Sequence, residues 1–258
     1  MTVTERFVAL VEGPEDTLPL DEAALLLAAH AEPKLDVAAQ LARLDGLAER
    51  VTRPTAPAVT GLLFGEIGLR GNSEEYGDPR NSFLDQVLDR GLGIPISLAV
   101  VTMEVGRRVG VVFDGVGMPG HFLVRSEGVL MDPFRGGRML DIAEAEALFR
   151  ALHGPEAPFS PSLLAATGRR AILARMLANL RGSYAERGDA AALVWVARLL
   201  VAIPGTPRAA KVDLARLLVN LGNFTEAGDV LEQLAATAGG EEQQRLRSRA
   251  AALRARLN

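Results

Sequence analysis

The sequence predicts an α+β protein, and three observations carry that reading. Residues 1 to about 70 have a helical texture, three short β-type runs cluster between residues 111 and 134, and helical texture returns from about residue 161. At 258 residues, 48% of them hydrophobic, the chain is long and apolar enough to bury a core. The expected organisation is a helical N-terminal region (1–70), a mixed core (71–155) and a helical C-terminal region (161–258).

LDEAALLLAAHAE (20–32) sets apolar residues at helical spacing behind Asp21, read as its cap. LDVAAQLARLDGLAERV (35–51) aligns Leu35, Ala38, Leu41, Leu44 and Leu47 along one side, and PTAPAVTGLLFGEIG (54–68) makes a third helix. RGNSEEYGDPRN (70–81) holds too much Gly, Asp, Asn and Pro to stay helical and reads as a surface loop.

NSFLDQVLDRGLG (81–93) is a short helix in which Asn81 or Ser82 caps and Asp85 suits the positive first turn. IPISLAVVTMEVGRRVG (94–110) is a buried helix with Pro95 in its first turn and Gly106 and Gly110 bracketing its end. VVFDGVGM, HFLVR and VLMDPF are strand-like, the last two separated by the tight turn SEG. DIAEAEALFRALHG is a helix capped by Asp141.

In the C-terminal region Arg187-Gly188-Asp189 recurs as Leu221-Gly222-Asn223, 34 residues on, and Val196 and Leu200 match Val230 and Leu234 at the same offset. That period, with a Gly between paired helices, is the tetratricopeptide signature, and one to two repeats fit.

Composition removes several functions. With no Cys there is no disulfide framework, thiolate zinc site, iron–sulfur cluster or cysteine nucleophile. A net charge of −4 argues against a broadly basic nucleic-acid surface. The acids Glu5 and Glu12 stand where a targeting peptide wants a basic end and an apolar stretch, and the apolar runs fall far short of the ~20 residues of a membrane helix. A soluble cytoplasmic protein with no membrane contact is expected.

Gly115-Val116-Gly117-Met118-Pro119-Gly120 matches G-x-G-x-x-G, but a strand-like run follows where a dinucleotide site needs a helix, so no cofactor is expected. His30, His121 and His153 lie far apart and none has a ligand partner at metal spacing, so no metal is expected. The arginines of the last helix, Arg245, Arg247, Arg249, Arg254 and Arg256, follow an acidic start and suit a solvated helix dipole.

Ser97, His121 and Asp132 remain as candidate catalytic residues. Ser97 lies in the first turn of a buried helix, where the dipole and the free amides near Ile96 and Leu98 favour a developing anion. A two-residue turn at Glu127-Gly128 would set residue 126 opposite 129 and 123 opposite 132. His121 and Asp132 then share a sheet face as diagonal neighbours, about 7–8 Å apart, whereas a three-residue turn without a bulge would put them on opposite faces. The same residues have plain structural uses: Ser97 capping its helix, His121 bonding a neighbouring strand, Asp132 fixing the turn before Pro133. Arg135 and Arg138 can pair with acids or meet an anionic partner group.

The run from Asn81 to Arg125, with GIPISL and PGHFLVR, and the run LMDPFRGGRML resemble the SirB family of bacterial transglutaminase-like proteins; residues near 169–189 extend the resemblance. Members join a transglutaminase-like core to tetratricopeptide-type helices. The resemblance implies a papain-like core, with a nucleophile-bearing helix packed on an antiparallel sheet that carries His and Asp. In active members of the wider superfamily the nucleophile is cysteine, and that position falls here on Ser97, with His121 as base and Asp132 as its orienter. A serine hydroxyl must lose its proton during attack, which a thiolate need not. Two functions follow: a non-catalytic protein that binds a protein or peptide partner, or a serine-dependent acyl-transfer or hydrolase enzyme using Ser97, His121 and Asp132.

Overall fold

The computed structural model describes residues 1–257 and has an α+β, mostly helical architecture. It opens on a helix that periodicity passes over. Thr2 Oγ1 accepts from the Glu5 amide at 3.2 Å and Glu5 Oε2 accepts from the Thr2 amide at 2.8 Å, a reciprocal cap that starts α1 (Val3–Glu12). The T-x-x-E spacing was the available signal.

Helix α2 (Leu20–Ala31) is apolar nearly all round, and Leu20, Leu25, Leu26 and Leu27 are fully buried. Each such side chain contributes roughly 1.5–3 kcal/mol. Asp21 is not its cap, because the helix begins one residue earlier, behind Pro19. In α3 (Val37–Glu49) the buried stripe is Val37, Leu44 and Ala48, with Ala38 exposed, so the expected Leu35–Leu47 row is rotated. Asp36 caps it, accepting from the Ala39 amide. Helix α4 (Ala56–Thr60) runs on as a π turn over Gly61–Glu66, closed by the Ile67 amide on the Leu62 carbonyl.

Two short strands, β1 (Arg70–Gly71) and β2 (Leu92–Gly93), pair in parallel on either side of α5 (Leu84–Arg90). Neither Asn81 nor Ser82 caps α5. Both lie in a 3-10 turn (Pro79–Ser82) that Asp78 caps, and Phe83 precedes the helix without a side-chain bond. The buried helix is α6 (Pro95–Arg108), with Ile96, Leu98, Val100, Val101 and Val105 at most 1% exposed. It packs on β3 (Asp114–Val116) and β4 (Leu123–Ser126). These continue with β5 (Val129–Asp132) and β6 (Arg138–Leu140) as an antiparallel sheet in the order β3-β4-β5-β6. The fourth strand was not expected; three residues after Gly136-Gly137 are too few to show a period. Helix α7 (Ile142–His153) starts at the reciprocal Asp141/Glu144 cap.

One charge cluster, built on the buried carboxylates of Asp21 and Glu104, ties α2, α3 and α6. Asp21 meets Arg108 at 2.6 Å and Arg107 at 3.2 Å, Glu104 meets Arg107 at 2.7 Å, and Arg108 reaches Asp45 at 2.6 Å. Burial by itself raises the Asp21 carboxyl. The Arg108 and Glu22 hydrogen bonds and the charges of Arg108 and Arg107 outweigh it and hold the group below its ordinary value. Glu104 moves the other way: burial, then the Asp21 charge, raise it against Arg107 and Arg169. A carboxyl lowered by folding stabilises the native state above its unfolded value, and that stability is lost as pH falls through the folded one. Asp21→Asn is therefore expected to cost roughly 2–3 kcal/mol near neutral pH. The gap to wild type should close below about pH 4. Urea titrations across pH check this, and a gap unchanged down to pH 3 would exclude the Asp21 charge as its source.

The chain divides into two compact units, Met1–Met176 and Leu177–Asn258, with the boundary inside α8 (Arg169–Glu186). The second unit continues with α9 (Ala190–Ala202), α10 (Arg208–Asn220), α11 (Phe224–Ala236) and α12 (Gly240–Arg254). Its core gathers Val194, Leu214, Leu218, Leu231, Leu234 and Leu253. α8 ends at Glu186 and α9 begins at Ala190; α10 ends at Asn220 and α11 begins at Phe224, an offset of 34 at both points. Each of these turns places a glycine in the left-handed region, Gly188 at φ 66° and Gly222 at φ 77°.

Candidate functional site

The β4–β5 hairpin sets the site. Glu127 (φ 49°) and Gly128 (φ 82°) are both left-handed, the turn whose twist matches two paired strands. The resulting register pairs Ser126 with Val129, Arg125 with Leu130 and Val124 with Met131. His121 stands just ahead of β4, in a tight turn closed by its amide on the Met118 carbonyl at 3.0 Å, with Gly120 at φ 73°. This turn and β4 follow Gly120 where a dinucleotide loop would begin a helix.

Its imidazole meets the carboxylate of Asp132: His121 Nε2 donates to Asp132 Oδ1 at 2.9 Å, with His121 6% exposed and Asp132 fully buried. The same oxygen accepts from the amides of Phe134 (3.0 Å) and Arg135 (3.3 Å), so Asp132 also caps the turn that follows. A carboxylate can only accept, so in the neutral ring it draws the proton to Nε2 and leaves Nδ1 as an acceptor. Among the described residues Nδ1 has no hydrogen-bond partner. Asp132 Oδ2 is buried without a hydrogen bond, the nearest cation being Arg135 Nε at 3.8 Å. Arg138 pairs instead with Glu144 at 2.5 Å.

The ring of Phe134 fixes the imidazole sideways. It meets His121 edge to face at 6.0 Å between centroids and meets Tyr76 likewise at 6.0 Å. It lies directly on Gly71, where a Cβ would fall 2.4 Å from the ring. Gly71→Ala therefore has to move a ring held on two sides, at roughly 1–3 kcal/mol. The variant should fold with a lower urea midpoint and a shifted His121 C2–H resonance. An unshifted resonance would mean that Phe134 does not orient the imidazole.

Ser97 is occupied elsewhere. It is fully buried in the first turn of α6, its Oγ donating to the Asn81 carbonyl at 2.5 Å and accepting from the Ile94 amide at 3.1 Å. Among the described residues no hydrogen bond joins Ser97 to His121 or Asp132. Of the three candidates, the structure links two.

The partner of Ser97 belongs to a network the sequence reading missed. The fully buried Asn81 side chain accepts from Asn72 Nδ2 (3.1 Å) and Arg90 Nη1 (3.3 Å) and donates to the Glu75 carbonyl (2.7 Å). The 70–81 segment is thus anchored from beneath by Asn72, Asp78 and Asn81, while Tyr76 stays half exposed. Only the Asp-Pro turn start was visible in the sequence, and it did not say which polar side chains turn inward.

The other histidines bond backbone carbonyls. His30 Nδ1 lies 2.8 Å from the Leu26 carbonyl and His153 Nε2 lies 3.0 Å from the Pro119 carbonyl. Among the described residues no three His, Cys, Asp or Glu side chains gather to hold a metal ion, and no helix is long and apolar enough to cross a membrane.

A buried helix packed on an antiparallel sheet whose neighbouring segments deliver an imidazole and a carboxylate is a transglutaminase-like core. The family model of the transglutaminase-like superfamily matches residues 29–178. A UPF0162 protein of Xylella fastidiosa is 43% identical over 231 residues, covering 83% of this chain and 82% of its own. A UPF0162 protein of Pseudomonas aeruginosa is 33% identical over 180 residues, 66% of each chain. The chain belongs to the transglutaminase-like superfamily and, within it, to the UPF0162 proteins. F-box only protein 21 of Mus musculus is 30% identical over 135 residues, 48% of this chain and 21% of that one. No solved structure matches the chain significantly.

Proposed function

We propose that this protein uses its transglutaminase-like core to bind a protein or peptide partner rather than to catalyse acyl transfer. Its helical pairs beyond Leu177 would act as tetratricopeptide-type repeats in the manner of the SirB family. The observation that carries this reading is the state of Ser97. A nucleophile needs an approachable oxygen and a base ready for its proton. Ser97 Oγ is fully buried, and the acceptors within its reach are the backbone carbonyls of Asn81 at 2.5 Å and Ile94 at 3.1 Å. The 34-residue spacing of the helical turns supports the repeat part of the reading, since such arrays serve binding.

A serine-reactive fluorophosphonate tests it. Folded wild-type protein is expected to remain unlabelled, and Ser97→Cys is expected to react with iodoacetamide only in denaturant. Ser97→Ala should cost about 1–2 kcal/mol, read from urea unfolding, because the Ile94 amide and the Asn81 carbonyl lose a partner. Labelling that vanishes in both Ser97→Ala and His121→Ala would replace this reading with the serine-dependent enzyme. One observation favours that second reading, the intact His121–Asp132 pair.

A further inference from the structure

Arg175, on α8, has an electrostatic position that its neighbours do not share. Within residues 1–176 every other partly buried arginine lies within 4 Å of a carboxylate among the described residues, while Arg53 and Arg70 stand exposed in solvent. Arg175 is partly buried and has no carboxylate partner among those residues. Its Nη2 donates to the His121 backbone carbonyl at 2.7 Å, and its guanidinium lies 5.4 Å over the Phe122 ring. A guanidinium offers five N–H donors, so most of its donors are unused here. Withdrawing a cation from water without a counter-charge is costly, and an anion at the remaining donors offsets the cost.

Tyr76 is joined to the same histidine through Phe134, whose ring meets both. Burial raises its hydroxyl above the ordinary value and the Arg175 charge opposes that rise, so the two groups are within electrostatic reach. Burial likewise lowers the Arg175 guanidinium, with Tyr76 opposing. Tyr76 is 50% exposed, which opens this corner to solvent, and Phe134 connects it edge to face with His121.

We propose that Arg175 and Tyr76 form a carboxylate-binding site beside His121, taking either the C-terminus of a peptide or an Asp or Glu side chain. The guanidinium fork matches a planar carboxylate, and the phenol adds one donor. A single cation suits a single negative charge. The proposal rests on the reading of the transglutaminase-like core as a partner-binding unit and adds the chemistry that the partner must present.

The test titrates the full chain with N-acetyl-Ala-Ala-Ala as the free acid, the same peptide as its amide, N-acetyl-Ala-Glu-Ala amide, and inorganic phosphate. The readout is the C2–H resonance of His121, resolvable because the chain has three histidines. Saturable shifts are expected with the free acid, the Glu peptide or both, and none with the neutral amide; the two acid arms tell a chain terminus from a side chain. Arg175→Gln should weaken binding at least roughly tenfold and Tyr76→Phe by a few-fold, the loss of charged and neutral hydrogen bonds respectively. If Arg175→Gln does not fold, Tyr76→Phe carries the test. The proposal is overturned if neither acid binds saturably, if phosphate binds as tightly as the carboxylates, or if the folded variants bind like wild type. Fluorophosphonate labelling reports separately. Labelled protein that still binds carboxylates keeps this site and loses the non-catalytic reading, and unlabelled protein that binds none does the reverse.

Discussion

Asp132→Ala should lower stability by about 3–5 kcal/mol, because it removes one side of a buried charged contact and leaves its donors unpaired. Three donors converge on Oδ1: the His121 imidazole at 2.9 Å and the amides of Phe134 and Arg135 at 3.0 and 3.3 Å. With the carboxylate gone the 133–135 turn loses its cap and the imidazole loses what fixes its ring. Asp132→Asn keeps an acceptor oxygen and should cost about half as much, the charge being lost but not the cap. Urea unfolding followed by circular dichroism gives the magnitudes, and the His121 C2–H resonance reports the loss of orientation. A cost below about 1 kcal/mol for Asp132→Ala would mean that water replaces the carboxylate, and that the pair is not the anchor of the hairpin end.

The second large effect is expected at Asn81. Truncation to Ala strands the buried Asn72 amide and the partly buried Glu75 carbonyl, both bonded to it at 3.1 Å or closer. Each unsatisfied group costs about 1–3 kcal/mol, so a loss of about 3 kcal/mol is expected. The change also frees the segment from Asn72 to Arg80, which carries Tyr76 to Phe134. Limited proteolysis should therefore cut that segment faster in Asn81→Ala than in wild type, while Asn81→Asp retains part of the protection. Equal cutting rates would show that Asp78 and its arginines hold the segment without Asn81. Asp78 is suited to share the work. Burial alone raises its carboxyl, but the Arg80 hydrogen bonds and the charges of Arg80 and Arg90 bring it below the ordinary value.

Much of the site's framework was legible because it depends on near neighbours. Glu127-Gly128 marked a tight turn, and of the two- and three-residue turns the sequence allowed, the two-residue one sets the observed pairing of Ser126 with Val129. Pro95 could be placed in the first turn of α6 because proline has no amide to leave unpaired there. Asp141 with Glu144 marked the start of α7, and glycines 34 residues apart marked matching turns. The misread caps went to other partners or turns. Asp21 reads as a helix cap from its own neighbours but is claimed by Arg107 and Arg108, 86 and 87 residues away. Asn81 and Ser82 likewise read as caps and instead lie in the 3-10 turn beneath the loop.

By itself, the sequence determined the α+β class and the absence of any thiol, and it allowed a hairpin register in which an imidazole meets a carboxylate. Only the tertiary structure decided the partners of the Ser97 hydroxyl and left Arg175 without a carboxylate partner among the described residues. Turns and caps obey backbone geometry over three or four residues, whereas a buried donor or charge takes whichever partner the folded chain delivers. For Ser97 that partner is Asn81, 16 residues back.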